Sequence, residues 1–328
     1  MNEKNILVIG CGGIGSRHLE SLCKIDIPVN IYGFDINDDS LTKVKKLIEP
    51  KNNLNVKLIN LSKELPENIS QFDLCIISTS SNVRLKLLKK IVSKYIIKNL
   101  ILEKVLFQSI PEYEEAKNVI DKNKINCWVN CSRREDKFWG EIKKILSDHS
   151  NLSLYYGNSN WDLCCNSIHM IDLAAWLFND SIEYIDNSLL DKKIYESKRK
   201  DFIEFTGILT GKFKNGSVFK LESTYGIPRN ESKFEIVGEG IRLIVNEYDE
   251  KCILYKERNN NWIQENLNFH RLLQSEKTHD VAKKILQQQK CNLTKLNESI
   301  QIHEPLIESF TEHLNKISNS KFDYCPIT

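Results

Sequence analysis

Apolar residues in the first third of the chain fall in short, nearly unbroken runs: NILVIG (5–10), VNIYGFD (29–35), NVKLI (55–59), DLCIIST (73–79), NLILEK (99–104) and INCWVN (125–130). Between them the spacing turns helical, with helices expected to begin near Ile14, Ser40, Asn82 and Pro111. The last carries Glu112, Glu114 and Glu115 in its opening turn, where the helix dipole favours acidic groups. Continuous apolar strands separated by helices predict a parallel sheet covered on both faces, a doubly wound Rossmann-type domain.

The rhythm changes after about residue 130. A helix (135–147), a strand (152–157) and a second helix (167–178) lead into strand patterns with no helix between them, at 202–213, 217–225, 233–237, 241–247 and 252–257. The turn signals KNG (214–216) and GEG (238–240) punctuate this series, and helical segments at 276–289 and 298–317 close the chain. The expected architecture is α/β: a dinucleotide-binding domain over 1–128, then over 129–328 an α+β domain with a large, mostly antiparallel sheet and helices on one side.

Composition narrows the function classes. The 328 residues are 41% hydrophobic and 27% charged, and 46 basic against 44 acidic side chains leave a formal charge of +2. That balance gives no electrostatic footprint for nucleic acid or an anionic membrane. The basic runs Lys43-Val44-Lys45-Lys46 and Lys198-Arg199-Lys200 read as solvated faces. No apolar stretch approaches the roughly 20 residues of a spanning helix, and MNEKNILVIG enters a strand directly, so neither a membrane span nor a signal peptide is expected. Ten cysteines without CxxC spacing point to a reducing cytoplasm.

ILVIGCGGIGSRHLESL sets Gly10, Gly12 and Gly15 in G-x-G-x-x-G register between the first strand and the first helix. The first glycine permits a tight turn, the second admits a pyrophosphate against backbone, and the third lets helix and strand pack closely. Free N–H groups at Gly13 and Ile14 would face the phosphates. Asp35 ends the second strand 20 residues after Gly15, placed to accept hydrogen bonds from ribose hydroxyls. A carboxylate there repels a 2′-phosphate, so NAD is favoured over NADP; alternatively Asp35 only opens a turn with Asn37 and Asp38. Ser78, Thr79 and Ser80, at the carboxyl end of the fourth strand, either face the dinucleotide or cap the helix that follows.

Glu103 and Lys104 interrupt the apolar run NLILEKVLF (99–107). Adjacent opposite charges inside such a run are costly unless they mark an opening, so the pair is expected at the rim of the ligand crevice, Glu103 beside the cofactor and Lys104 in proton transfer. In CCNSIHMIDLAAW (164–176) a helix would align Cys165, His169, Asp172 and Trp176 in one stripe, with His169 and Asp172 three residues apart and able to interact. Asn160, Trp161 and Asn166 offer a stacking surface and amides for a polyhydroxylated ligand, or Trp161 is ordinary core. No metal-ligand spacing is visible.

IGCGGIGSRHL, LEKV and SIHMIDLAAWLF resemble the glucose-fructose oxidoreductase, inositol dehydrogenase and rhizopine catabolism (Gfo/Idh/MocA) family of NAD(P)-dependent sugar oxidoreductases. The resemblance implies an N-terminal Rossmann domain and a C-terminal sheet domain that commonly forms dimers or tetramers, so a homo-oligomer is expected. The family's E-K-P motif falls on Glu103, Lys104 and Val105, and its D-x-x-x-H pair on Cys165 and His169. Lys104 thereby inherits substrate binding and proton transfer, and His169 the general acid/base role. Valine replaces the proline, which removes an inexpensive route to a cis peptide. A neutral thiol at Cys165 does not orient an imidazole as an aspartate does, and Asp172, matching the family's H-x-x-D, is placed to compensate. SRR (132–134) resembles the family's segment near cofactor and substrate, which makes Arg133 or Arg134 a ligand contact, unless either pairs with Glu135 or Asp136.

The function this implies is NAD-dependent hydride transfer on a small carbohydrate: a sugar, sugar acid or nucleotide-activated sugar, including a role in surface-glycan pathways. The rival readings are an aldehyde or imine reductase of the same fold and a catalytically silent NAD-binding sensor.

Overall fold

The computed structural model describes residues 3–48, 53–226, 232–318 and 320–328. The chain divides into two compact units, one of 1–107, 111–135 and 272–297, the other of 108–110, 136–271 and 298–328.

The first unit begins with β1 (Lys4–Ile9), α1 (Gly13–Leu22), β2 (Val29–Phe34), α2 (Asp38–Ile48) and β3 (Val56–Ser62). It continues through β4 (Leu74–Ile77), α3 (Ser81–Lys94), β5 (Asn99–Leu102), α4 (Ile110–Lys122) and β6 (Asn126–Val129). The strands lie in the order β3-β2-β1-β4-β5-β6, all parallel, the doubly wound arrangement expected from the apolar runs. β4 and β5 are buried throughout and β1 along its last four residues, because helices cover both faces. Strand order reverses between β1 and β4, which opens a crevice at their carboxyl ends.

One element joins this unit from far along the chain. Residues 272–297 carry α7 (Gln274–Gln288) and β15 (Thr294–Lys295), and β15 extends the sheet antiparallel to β6. Val281, Ala282 and Ile285 of α7 are buried in one cluster with Ile6, Val8, Leu19 and Leu22. Full burial of a side chain such as Val281 or Ile285 contributes roughly 1.5–3 kcal/mol. Beside the expected division at 128/129, the first compact unit runs to 135 and includes 272–297, a return that periodicity along the chain does not reveal.

In the second unit β7 (Ser153–Ser159), β8 (Ile182–Leu190), β9 (Gly207–Phe213) and β10 (Val218–Thr224) are followed by β11 (Lys233–Gly238), β12 (Ile241–Asn246), β13 (Lys251–Arg258) and β14 (Asn261–Asn268). They form one sheet in the order β8-β9-β10-β7-β11-β12-β13-β14, antiparallel except where β10 runs parallel to β7. β8 and β14 add to the expected strands, and the expected strand 202–213 is two: 203–204 pairs with 195–196, and β9 begins at Gly207. With φ of +102° and no room for a Cβ beside the Leu189 carbonyl, Gly207 is where the chain turns between the two sheets. Burial alternates along β10 and β12, so one face is covered. α5 (Lys137–Leu146) packs on α6 (Leu163–Phe178), and α6 packs on β10. The unit also holds α8 (Leu296–Ile317) from Glu298 onward.

Candidate functional site

The glycine loop lies at the carboxyl end of β1. Gly10 has φ of +86°, and a Cβ on it would lie 2.9 Å from Thr79 Cγ2. A Cβ on Gly15 would lie 1.8 Å from the Gly10 carbonyl oxygen and 2.7 Å from Ser78 Oγ, so helix and strand touch through backbone alone. A Cβ on Gly12 or Gly13 would meet nothing within 4 Å. Gly12 is the N-cap of α1 and supplies no side-chain acceptor to its first turn. The loop thus joins a tight turn to an open helix N-terminus, which includes Gly13 and Ile14, and that is the form of an anion cradle.

Asp35 holds this loop from beside it. Its Oδ2 accepts the Cys11 N–H at 2.6 Å and its Oδ1 accepts the Asn37 N–H at 2.9 Å, so it both opens the turn and ties β2 to the cradle. Burial, with the Asp35 charge adding, pushes the Cys11 thiol up to about 12. Ser78 donates from Oγ to the carbonyls of Gly10 at 2.7 Å and Ile9 at 3.0 Å and so shapes the loop. The Thr79 hydroxyl is buried with no hydrogen-bond partner, an unsatisfied polar group next to the glycine loop in the fold. Ser80 is the N-cap of α3 and donates to Asn82 Oδ1 at 2.8 Å. Open space over Gly12 and Gly13, the uncapped helix start and the orphaned Thr79 hydroxyl all fit a dinucleotide.

Glu103 departs from the expected rim position. It is 4% exposed, and its Oε1 accepts from His18 Nε2 at 2.8 Å and Asn130 Nδ2 at 2.5 Å. His18 Nδ1 in turn hydrogen-bonds Thr278 Oγ1 at 2.8 Å, and Asn130 Nδ2 also donates to Gln274 Oε1 at 3.1 Å. Burial raises the Glu103 carboxyl, but the His18 hydrogen bond and charge, with Asn130 and Lys104, outweigh it and hold the group below the usual carboxylate range. The burial cost is therefore met by partners rather than avoided by exposure. His18 stands out in the sequence only as a histidine on the first helix's apolar face, a weak signal.

Lys104 is the only residue from Leu100 to Gln108 that is not buried. It follows β5 at the same sheet end as the glycine loop, and the Lys104–Val105 peptide bond is cis. Arg84, 1% exposed on α3, donates to the carbonyls of Val105, Leu106 (2.6 Å) and Thr79. Arg134 is buried and Arg133 half-buried in the short helix Ser132–Glu135. Glu135 is engaged by Lys284 Nζ at 2.7 Å and the Asn292 N–H at 2.5 Å.

In the second unit the expected stripe on α6 is divided by burial. His169 is half-buried, Cys165 and Asp172 are 8% and 1% exposed, and Trp176 is half-buried with Lys143 Nζ 4.7 Å from its ring centre. Trp161 takes the core role: its ring packs 4.6 Å from that of Tyr156, and its carbonyl accepts Asn166 Nδ2 at 2.6 Å. Asn160 Oδ1 accepts the Gly226 N–H at 3.2 Å. Arg199, from a run expected to be merely solvated, donates to Cys165 Sγ at 3.6 Å and to the Thr328 carbonyl at 3.1 Å.

Glu204 belongs to no motif in the sequence. It is 6% exposed and accepts the Cys164 N–H at 2.7 Å, at the start of the helix that carries His169. Burial pushes its carboxyl up to about 7 against that hydrogen bond, and the nearby Asp162 charge adds to the rise. The available signal was a glutamate between apolar residues in DFIEF (201–205). Among the described residues no group of three or more His, Cys, Asp or Glu side chains is arranged to hold a metal ion. None of the ten cysteines is joined in a disulfide, and no described helix is long and apolar enough to cross a membrane.

No family model matches the chain. A stretch of 123 residues, 36% of this chain, is 31% identical to a Methanocaldococcus jannaschii protein described as "Putative precorrin-2 dehydrogenase" and spans 57% of that relative's length. Solved structures align over nearly the whole chain. UDP-N-acetylglucosamine 3-dehydrogenase GnnA from Acidithiobacillus ferrooxidans matches with a TM-score of 0.72 and 11% identity over 94% of this chain and 97% of its own. An Agrobacterium radiobacter oxidoreductase in complex with NAD+, L-tartaric acid and magnesium gives 0.72 and 12% over 96% and 97%. The dehydrogenase MviM from Clostridium difficile gives 0.66 and 17% over 94% and 99%. At these identities the likeness is one of architecture: the chain has the fold of these dehydrogenases, a Rossmann unit with a large, mostly antiparallel sheet unit.

Proposed function

We propose that the chain is a Gfo/Idh/MocA-type oxidoreductase that transfers hydride between NAD and a small carbohydrate: a sugar, sugar acid or nucleotide-activated sugar. The observation that carries this reading is the placement of a half-exposed lysine, Lys104, at the same end of the parallel sheet as the open glycine cradle. The fold shared with a sugar-nucleotide dehydrogenase and with an NAD-bound oxidoreductase supports it.

The groups that would hold the dinucleotide are the N–H groups at the start of α1 for its phosphates, Asp35 for a ribose and the unsatisfied hydroxyl of Thr79. Asp35 keeps lone pairs beyond its two backbone bonds, and its charge disfavours a 2′-phosphate, so NAD is the cofactor proposed over NADP. When bound, the nicotinamide accepts or returns the hydride. Lys104 polarises the reacting oxygen of the substrate, and His169 holds or releases its proton as general acid/base. Asp172, three residues along α6, orients the imidazole in place of the carboxylate that Cys165 lacks. Arg133 or Arg134 contacts the ligand. The second unit's sheet is the proposed surface for a homo-oligomer, and the proposed compartment is the cytoplasm.

Two measurements test the reading. Titration with NADH, followed by its fluorescence, should saturate, and should weaken in Asp35→Ala. A panel of sugars, sugar acids and nucleotide sugars, scored by NADH formation, should then contain a substrate. Tight NAD binding with no turnover across the panel, or with aldehydes and imines under NADH, would leave the silent sensor as the better account.

A further inference from the structure

We infer that Arg84 is a positioning residue for Lys104, an inference that rests on the role proposed above for that lysine. Arg84 stands in the first turn of α3, one turn beyond the Ser78–Ser80 segment, yet its guanidinium is buried and reaches across to the segment that follows β5. Nη1 donates to the carbonyls of Val105 and Leu106, and Nη2 donates to the carbonyl of Thr79. One side chain thus ties the residues directly after Lys104 to Thr79, whose methyl and backbone pack against Gly10 of the glycine loop.

The chemistry of the group suits that task. A guanidinium stays charged at every accessible pH and presents its donors in a rigid plane, so its hydrogen bonds to carbonyl oxygens are charge-assisted and fixed in direction. A lysine at position 84 would carry charge without the fork, and would bind one segment or the other as a point donor. Lys104 is consequently held from both sides by buried anchors. Glu103, on its N-terminal side, is locked by His18 and Asn130, and Val105 and Leu106, on its C-terminal side, are locked by Arg84. The half-exposed lysine stands on a backbone fixed at both ends, which is what a proton-transfer group needs if its amine is to return to one place.

The test reads Lys104 directly and needs no substrate. Wild type, Arg84→Lys and Arg84→Ala are trace-labelled with acetic anhydride across a pH series, and the modification of Lys104, Lys94 and Lys220 is quantified by mass spectrometry. In both variants the extent of Lys104 labelling should change by about twofold or more at each pH, with Lys220, on the second unit's sheet, unmoved. Methylguanidinium added to Arg84→Ala should return the curve toward wild type. Should Arg84→Ala not fold, Arg84→Lys and Arg84→Gln carry the test. A Lys104 curve that superimposes on wild type in a folded variant overturns the inference, as does an equal shift at Lys94, which marks general loosening of α3. NADH protection of wild-type Lys104 is scored separately: its absence strikes the proposed cofactor site and leaves the Arg84 result standing.

Discussion

Glu103 and Glu204 are buried to nearly the same degree, 4% and 6% exposed, and their acidities move in opposite directions. Glu103 in the Rossmann unit meets an imidazole and an amide, and stays ionised. Glu204 in the sheet unit meets the backbone of Cys164 with another acid nearby, and holds its proton up to about pH 7. Depth of burial therefore says little about charge; the partners decide. The first unit keeps a fixed negative charge next to Lys104, and the second keeps a switchable one at the head of the His169 helix.

The strongest way to break this contrast is at Lys104. Lys104→Ala should lower turnover on the order of 100- to 10,000-fold while NADH binding persists; intact turnover would show that the charged end of the first unit is not where proton transfer happens. His18→Ala comes next. It strands a buried carboxylate, so it should cost about 3–5 kcal/mol in urea unfolding and erase the difference between the two glutamates by driving Glu103 upward. An unchanged midpoint would mean that the pair is not what stabilises this end of the sheet.

Glu204→Gln probes the other side. The folded carboxyl is raised from 4.5 to about 7, so between those values the folded state holds a proton that the unfolded chain has released. Stability should fall as pH rises through that window and stay reduced above it. Glutamine removes the penalty while still accepting the Cys164 N–H, so the variant should lose that slope and gain about 1–3 kcal/mol at pH 8. A slope that survives the substitution must belong to another group. The smallest effect is expected where both partners are exposed: Lys89→Ala, which removes the surface pair with Glu115, should change stability by about 0.5 kcal/mol or less. A larger loss would mean that exposure, too, is a poor guide to what an ion pair contributes.

Much of this architecture is legible in sequence because its causes are local. β1, β2 and β4 to β6 are apolar runs of strand length, and the glycine register needs only a strand before it and a helix after it. Lys104 is legible as a charge that interrupts such a run. The partners that decide the chemistry are not local. His18 reaches Glu103 across 85 positions and Thr278 across 260, and Arg84 reaches Leu106 across 22. α7 has the pattern of any amphipathic helix, and nothing in that pattern says which unit it covers. Trp161, with its ring against Tyr156, shows the converse: an aromatic beside polar residues resembles a binding platform until its core neighbours are seen.

The two later glycines of the loop answer to different masters. Gly15 touches the Gly10 carbonyl and is demanded by the mechanics of the fold, whereas Gly12 faces empty space in an extended conformation that any residue adopts, so nothing inside the protein demands it. A descendant that abandoned its dinucleotide would still be bound to Gly15 and would be free to drift at Gly12. The pair works as a wear gauge: Gly12, which the fold does not require, is the position that reports on the proposed dinucleotide, and Gly15 is the one that reports on the fold.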